Sequence, residues 1–176
     1  MMKLWSIVVG AFILSPLPAS VLENEDFFQR NDSDQPTGWQ IRYSIPEMET
    51  KKLVVASDGV LTLGGTELRG ELLLIQPNIK LEPMTCYQVS WEERGVDGNG
   101  NLRIYLQYQK PKDGKAEQLT VNGAWNKVLP QWTARKFVFD FPENGRSPWF
   151  VINTSGVIPI QIRNLKLKAV EQTEEK

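Results

Sequence analysis

Short runs of apolar or alternating residues, separated by turn-forming residues, recur along this 176-residue chain from Val21 onward. No stretch keeps a helical period over three turns, and no internal repeat indicates a propeller or a solenoid. Regularly spaced short strands with turn signals such as Ser57-Asp58-Gly59 between them predict an all-β fold, a sandwich or a barrel. The predicted strands are Trp39–Tyr43, Leu53–Val55, Val60–Leu63, Glu71–Ile75, Tyr87–Glu92, Leu102–Tyr108, Gln118–Val121, Lys136–Phe141, Phe150–Ile152 and Ile158–Lys168.

The first twenty residues have the layout of an export signal. A short charged start precedes an apolar run at Leu4–Leu14, and small residues follow at Pro16–Ser20. The run is too short to span a bilayer. We therefore expect a signal peptide at 1–20, cleaved near its end, a single domain at 21–170 and a polar tail at 171–176. The expected location is secreted or periplasmic; a retained anchor or a buried N-terminal strand is the alternative.

The composition excludes several chemistries. The chain has no histidine, which removes the commonest general base, the commonest metal ligand and every Ser-His or Cys-His nucleophile pair. The charge is nearly balanced, with 20 basic and 21 acidic residues, and no basic cluster is longer than a pair such as Lys51-Lys52. We therefore expect no nucleic-acid partner. Cys86 is the single cysteine and cannot form a disulfide within the chain. Without a histidine to activate it, a packed thiol is expected.

One face of the sixth predicted strand carries Arg103, Tyr105 and Gln107, while the other face is apolar. An aromatic ring between a cation and an amide suits a polar, ring-shaped ligand such as a sugar, because the ring packs on C–H surface while its neighbours donate hydrogen bonds. We expect the fifth and sixth strands to pair as a hairpin, which brings Gln88 beside these residues. An ordinary solvated sheet face is the alternative interpretation.

The five tryptophans after the predicted signal fall into three settings. Trp39, Trp91 and Trp132 lie in apolar strand contexts and are expected to pack in the core. Trp149 is expected to cover the bottom of the core. Trp125 lies in a polar loop, where it serves either as a sugar platform or as a ring folded over the edge of the fold.

The segment Asp97–Asn101 looks like the start of a calcium-binding EF-hand loop, but the residues that should close that loop fall in a strand. We interpret the segment as a hairpin connection in which Gly and Asn adopt positive φ.

Catalysis is not predicted. A glycosidase-like site needs two carboxylates across a cleft, and Glu92 and Glu93 are adjacent in a strand and face opposite ways. No phosphate-binding Gly loop and no nucleophile elbow occurs.

Five segments resemble the galactose-binding-like jelly rolls, especially the carbohydrate-binding modules of secreted glycoside hydrolases. The resemblance implies a two-sheet antiparallel β-sandwich of jelly-roll topology with a glycan on a concave sheet face. Function does not follow from fold alone, since such folds host many activities. The segments that carry the resemblance are Leu22–Phe28, Pro36–Trp39, Ile75–Trp91, Trp132–Pro142 and Ile160–Leu167.

Members of these families often hold a structural calcium ion with a Glu of the opening motif and an Asp of the closing strand. In this chain those positions are Phe28 and Asn164, so two carboxylates are missing. Calcium prefers anionic oxygen ligands, which Glu23, Glu25 or Asp26 would have to supply. We therefore predict no cofactor and no metal ligands, with a structural calcium ion as the open alternative.

Together these patterns predict a β-sandwich module that binds a polysaccharide or oligosaccharide without catalysis. The predicted ligand-binding residues are Arg103, Tyr105, Gln107, Gln88 and Trp125. The alternative is a protein-interaction or structural module of the cell envelope with an envelope protein as partner. A groove lined by Tyr105 would favour a glycan, and a flat apolar patch would favour a protein.

Overall fold

The computed structural model describes residues 21–171, so the predicted signal peptide at 1–20 and all but the first residue of the predicted tail lie outside the described residues. The described chain forms eleven β-strands and one short 3₁₀ helix at Pro46–Thr50. No helix in this part of the chain is long and apolar enough to cross a membrane. The strands are β1 (Gln40–Tyr43), β2 (Val54–Ser57), β3 (Val60–Leu63), β4 (Glu71–Gln76), β5 (Thr85–Gly95), β6 (Gly100–Lys112), β7 (Lys115–Val121), β8 (Asn126–Val128), β9 (Thr133–Phe141), β10 (Arg146–Ser155) and β11 (Ile160–Ala169).

The strands form two sheets, and the paired strands run antiparallel. The six-stranded sheet has the order β1-β4-β10-β6-β7, with β8 also paired to β6. The five-stranded sheet has the order β2-β3-β11-β5-β9. This arrangement confirms the predicted all-β, two-sheet antiparallel sandwich of jelly-roll type.

The core lies between the sheets, where each strand directs every second side chain. The six-stranded sheet contributes residues such as Leu72, Ile104 and Ile152, all fully buried. The five-stranded sheet contributes residues such as Val89 and Leu167, also fully buried. Truncating one of these aliphatic side chains to Ala typically costs about 2–5 kcal/mol. The inward faces therefore fix which side chains each sheet leaves for its outer face.

The predicted hairpin between the fifth and sixth strands is wrong. β5 lies in the five-stranded sheet and β6 in the six-stranded sheet, and residues 96–99 carry the chain from one to the other. Two glycines are needed here for space: a Cβ on Gly100 would collide with the side chain of Ile160, and one on Gly95 with the carbonyl of Gly98. Positive φ occurs in this segment at Asp97, with φ 60°. The Gly-rich connection thus serves close packing at a sheet crossing and not a tight reversal.

The predictions for the tryptophans are partly right. Trp39 and Trp91 are buried in the core, as expected. Trp132 is half-buried and lies outside the core. The next residue, Thr133, pairs with the inward-facing Glu93 and so points inward itself, which turns Trp132 outward. Trp149 also points outward, because Phe150, the next residue on β10, fills the core.

Cys86 is a buried thiol, as predicted. Burial raises the pKa of the Cys86 thiol, and a hydrogen bond to Asp140 and the charge of that carboxylate raise it further. A raised pKa lowers the thiolate fraction, so we expect this cysteine to react slowly in the folded state.

Candidate functional site

The outer face of the six-stranded sheet brings together most of the predicted ligand-binding residues. Leu102, Ile104 and Leu106 of β6 point into the core, so the residues between and after them point outward. Across the ladder from β10, Asn153 pairs with Arg103, Val151 with Tyr105 and Trp149 with Gln107. Strand pairing therefore fixes which side chains meet on this face.

An apolar floor occupies the centre of the outer face. Ile75, Tyr105 and Val151 form a buried cluster there, and Leu73 and Trp149 pack against it. Tyr105 retains only 4% of its surface. Burial raises the pKa of the Tyr105 hydroxyl, while the charge of nearby Arg103 opposes the shift. The ring of Tyr105 is thus part of the floor, where neighbouring side chains cover it.

Arg103 extends over this floor and is held on several sides. Its guanidinium carbon lies 5.1 Å from the ring centroid of Tyr105 and 4.6 Å from that of Trp125. Its Nη2 donates to Oε2 of Glu71 at 3.2 Å, and the amide of Asn153 donates to the same oxygen at 2.7 Å. Glu71 therefore fixes the positions of both Arg103 and Asn153.

Two polar atoms at this point of the floor have no hydrogen-bond partner within the described part of the chain. They are Nε of Arg103, a donor, and Oδ1 of Asn153, an acceptor. A buried polar group without a partner costs about 1–3 kcal/mol, so such groups commonly mark a site for water or ligand.

Trp125 stands at one side of the floor, in the loop between β7 and β8. It is 40% exposed, more than most large apolar side chains of the described chain. The loop is fixed by Asn122, whose amide donates to the backbone carbonyl of Ile104 at 2.8 Å. Gln107 lies on the same face, with its amide 3.5 Å from the hydroxyl of Thr120. Trp125 and Gln107 both remain accessible at the border of the floor.

The sequence reasoning missed two residues of this face, Arg42 and Trp149. Trp149 is half-buried, and the guanidinium carbon of Arg42 on β1 lies 5.5 Å from the centroid of its ring. The alternation of β10 contained the signal, since Trp149, Val151 and Asn153 share one face once Phe150 is placed in the core.

Gln88 does not belong to this face, and the prediction that it lies beside Arg103, Tyr105 and Gln107 is wrong. It lies on β5 between Lys168 and Val138, on the outer face of the other sheet. The reason is the crossing at 96–99, which separates β5 from β6. Gln88 and Tyr105 are therefore on opposite sides of the sandwich.

A pocket of 640 Å³ borders the floor where β1 begins and β4 ends. Gln40, which lies opposite Ile75 on the outer face, forms part of its wall. The buried Nε1 of Trp39, also in the pocket wall, has no partner within the described residues. The outer face thus continues into a recess at the β1 edge.

The residues of this chain do not fit the calcium site that the resemblance implies. Phe28 offers no carboxylate and is 63% exposed. Asn164, in a bulge of β11, donates its amide to Oε1 of Glu92 at 3.1 Å. Among the described residues no group of three or more His, Cys, Asp or Glu side chains could hold a metal ion. That the chain has no cofactor stays a prediction, since the acidic residues Glu25, Asp26 and Asp58 line the same pocket as Asn164.

A two-sheet antiparallel sandwich with an apolar floor, accessible tryptophans and amide groups on one outer face defines a class of β-sandwich ligand-binding modules. The family model described as "Carbohydrate binding domain" matches residues 19–158. The chain belongs to this family and is a carbohydrate-binding module, as its sequence predicted. No curated protein matches the chain.

Several solved structures of carbohydrate-binding modules have a fold similar to that of this chain. The CBM22-1 xylan-binding domain of Xyn10C from Paenibacillus barcinonensis is 15% identical, covers 90% of this chain and 99% of its own, and has a TM-score of 0.58. TmCBM61, solved with β-1,4-galactotriose, is 16% identical over 86% of this chain and 99% of its own, with a TM-score of 0.58. A family 4 module is 14% identical over 85% and 99%, with a TM-score of 0.55. At these identities the likeness concerns the fold.

Proposed function

We propose that this module binds a polysaccharide or oligosaccharide on the outer face of its six-stranded sheet and acts without catalysis. The observation that carries the proposal is the combination of a buried apolar floor with guanidinium and amide groups and the accessible ring of Trp125. The exposed ring of Trp125 suits the C–H face of a sugar, and the surrounding donors and acceptors suit its hydroxyls.

Each group on the face has a distinct part in this proposal. Trp125 packs against a sugar ring at one side, and Trp149 borders the floor at the other. Gln107 donates to and accepts from hydroxyls. Arg103, whose side chain is one-quarter exposed, donates to hydroxyls near the centre of the face. Tyr105 contributes its buried ring to the floor and does not contact the ligand directly.

The absence of catalysis is part of the proposal. Hydrolysis of a glycosidic bond ordinarily requires two carboxyl groups on either side of that bond. Among the strand residues of this face Glu71 is the carboxylate, and it is engaged by Arg103 and Asn153. Glu92 and Glu93 face opposite ways, as predicted: Glu93 is fully buried and Glu92 lies on the other sheet's outer face.

We also propose that the module is secreted or periplasmic. The support is the export-signal pattern at residues 1–20 together with the family to which the chain belongs, whose modules commonly accompany secreted enzymes. Peptide sequencing of the mature N-terminus from the producing cell tests the location: a start near residue 20 is expected, and a retained Met1 would contradict export by cleavage.

The binding test compares two glutamines on opposite faces. The protein is screened by affinity electrophoresis against soluble polysaccharides, and oligosaccharides of any binding polymer are then titrated by calorimetry. Gln107→Ala and Trp125→Ala are expected to weaken binding about tenfold or more, since each removes a direct contact worth at least about 1.4 kcal/mol. Gln88→Ala is the matched control and is expected to bind like the wild type.

Two outcomes contradict the proposal. If Gln88→Ala weakens binding and Gln107→Ala does not, the ligand lies on the other sheet. If the folded protein binds none of the polymers, the protein-interaction alternative takes its place.

A further inference from the structure

The outer face of the six-stranded sheet carries more cations than carboxylates, although the whole chain has a net charge of −1. Strand pairing places three cations on this face, because Arg42 lies opposite Leu73, Lys127 opposite Asn101 and Arg146 opposite Gln109. The strand residues of this face thus include four cations, counting Arg103, and one carboxylate, Glu71. Such a face attracts an anionic ligand.

Most of these cations have no carboxylate partner. Glu71 is engaged by Arg103. Within the described residues Arg42, Lys127 and Arg146 form no ion pair. Arg42 makes a long hydrogen bond, from its Nη2 to Oε1 of Gln40 at 3.4 Å. Its guanidinium is therefore available to a ligand.

Arg42 is also oriented by an aromatic ring. Its guanidinium carbon lies 5.5 Å from the centroid of Trp149, at the border of the apolar floor. A guanidinium held near a ring loses little further freedom when it binds, and its planar N–H fork matches a carboxylate in a bidentate way. A sugar ring on the floor would place a carboxylate substituent within reach of this fork.

The opposite face shows that charge alone does not define the site. The outer face of the five-stranded sheet is also basic, but Arg163 there is bound to Glu92, and Nε of Arg94 donates to Gln161 at 2.7 Å. Both arginines enclose Trp132, at 4.1 and 4.8 Å from its ring centroid. Here the arginines are engaged with the protein itself.

We infer that the outer face of the six-stranded sheet takes a glycan with carboxylate-bearing sugar units, such as uronic acids, and that Arg42 binds the carboxylate. The inference rests on the proposed function, since it names the chemical class of ligand for the same face. Arg42 is then the residue that makes the protein bind an acidic glycan more tightly than its neutral counterpart.

The test uses polymers that differ only in charge. Polygalacturonate, alginate and glucuronoxylan are each compared with the same polymer after reduction of its carboxyl groups to alcohols. Binding is measured in about 0.15 M salt, where exposed charges separated by more than about 8 Å are largely screened. The proteins are the wild type, Arg42→Gln, and Lys136→Gln as a matched loss of one exposed charge on the opposite face.

The wild type is expected to bind at least one acidic polymer about tenfold more tightly than its reduced form, a difference of about 1.4 kcal/mol. Arg42→Gln should reduce this preference to about threefold or less, or about 0.65 kcal/mol, and Lys136→Gln should leave it unchanged. A preference that survives Arg42→Gln, or falls equally in both variants, would overturn the inference. If the wild type binds each acidic polymer and its reduced form equally tightly, the inference is overturned as well, but the proposed function stays intact. Absence of binding to every polymer, neutral and acidic, would overturn both.

Discussion

Replacing Arg135 by Leu is expected to destabilise the fold by about 2–4 kcal/mol, because it leaves a buried carboxylate without its counter-ion. That carboxylate is Glu93 on β5, which is fully buried. Its Oε1 accepts from Nε of Arg135 at 2.9 Å, and its Oε2 accepts from the indole N–H of Trp91 at 2.7 Å. The two bonds end on different oxygens, so each carboxylate oxygen depends on one of these partners.

The magnitude follows from burial. Removing one partner of a buried ion pair costs about 3–5 kcal/mol, because the remaining charge is left uncompensated. The side chain of Arg135 is 37% exposed, so water reaches its end of the pair and reduces the loss. The bond from Trp91 also remains. The expected loss corresponds to a fall in Tm of about 5–15 °C for a domain of this size.

Urea denaturation followed by tryptophan fluorescence measures the effect. In the double variant Arg135→Leu, Glu93→Leu both charges are gone, so we expect it to be more stable than Arg135→Leu alone by about 1 kcal/mol or more. Arg163→Leu is the matched control, because Arg163 pairs with the partly exposed Glu92, and exposed pairs contribute little. A loss below about 0.5 kcal/mol for Arg135→Leu would refute the reasoning, since changes that small are typical of ordinary surface positions.

Three further predictions concern other parts of the molecule. Gly100→Ala should lower the free energy of unfolding by about 1–3 kcal/mol, because the new Cβ collides with Cδ1 of Ile160. Ile160→Val removes that Cδ1, so adding it to Gly100→Ala should restore part of the loss. Urea denaturation measures both effects, and a Gly100→Ala variant as stable as the wild type would contradict the close approach at the sheet crossing. The pKa of Tyr105 is raised in the folded state, so on going to alkaline pH this tyrosine ionises first in the unfolded chain. The neutral, buried hydroxyl of Tyr105 therefore contributes stability below about pH 10, and that stability is lost as pH rises through the higher pKa of the folded state. The alkaline fall in Tm should therefore be smaller in Tyr105→Phe, and an identical fall would argue against burial of this ring. Cys86 should react slowly with iodoacetamide in the folded protein and quickly in urea, and equal rates would show that the thiol is accessible.

Local alternation in the sequence is sufficient to predict most strands. Leucine or isoleucine recurs at every second position in Val60–Leu63 and in Leu102–Tyr108, and both runs are strands with those leucine and isoleucine side chains inward. The short strand β8 has only three residues, too few for alternation to show. Alternation also predicts which side chains share a face, which explains why Arg103, Tyr105 and Gln107 are found together.

Which strands pair is not encoded in that local pattern. A Gly- and Asn-rich connection permits either a hairpin or a crossing between sheets, and the choice at 96–99 depends on contacts with Ile158 and Ile160, far away in sequence. The same long-range pairing decides the position of Gln88. It also brings Arg42 of β1 to Trp149 of β10, across the intervening strand β4.

The proposed ligand face is tested most directly by the indole N–H signals of the tryptophans in a ¹⁵N–¹H correlation spectrum during titration with a glycan that binds. Trp125 and Trp149 border the apolar floor, Trp91 lies in the core and Trp132 lies on the opposite outer face. We predict that the signals of Trp125 and Trp149 shift while those of Trp91 and Trp132 stay in place. A shift of Trp132 with Trp125 and Trp149 unchanged would place the ligand on the five-stranded sheet and contradict the account.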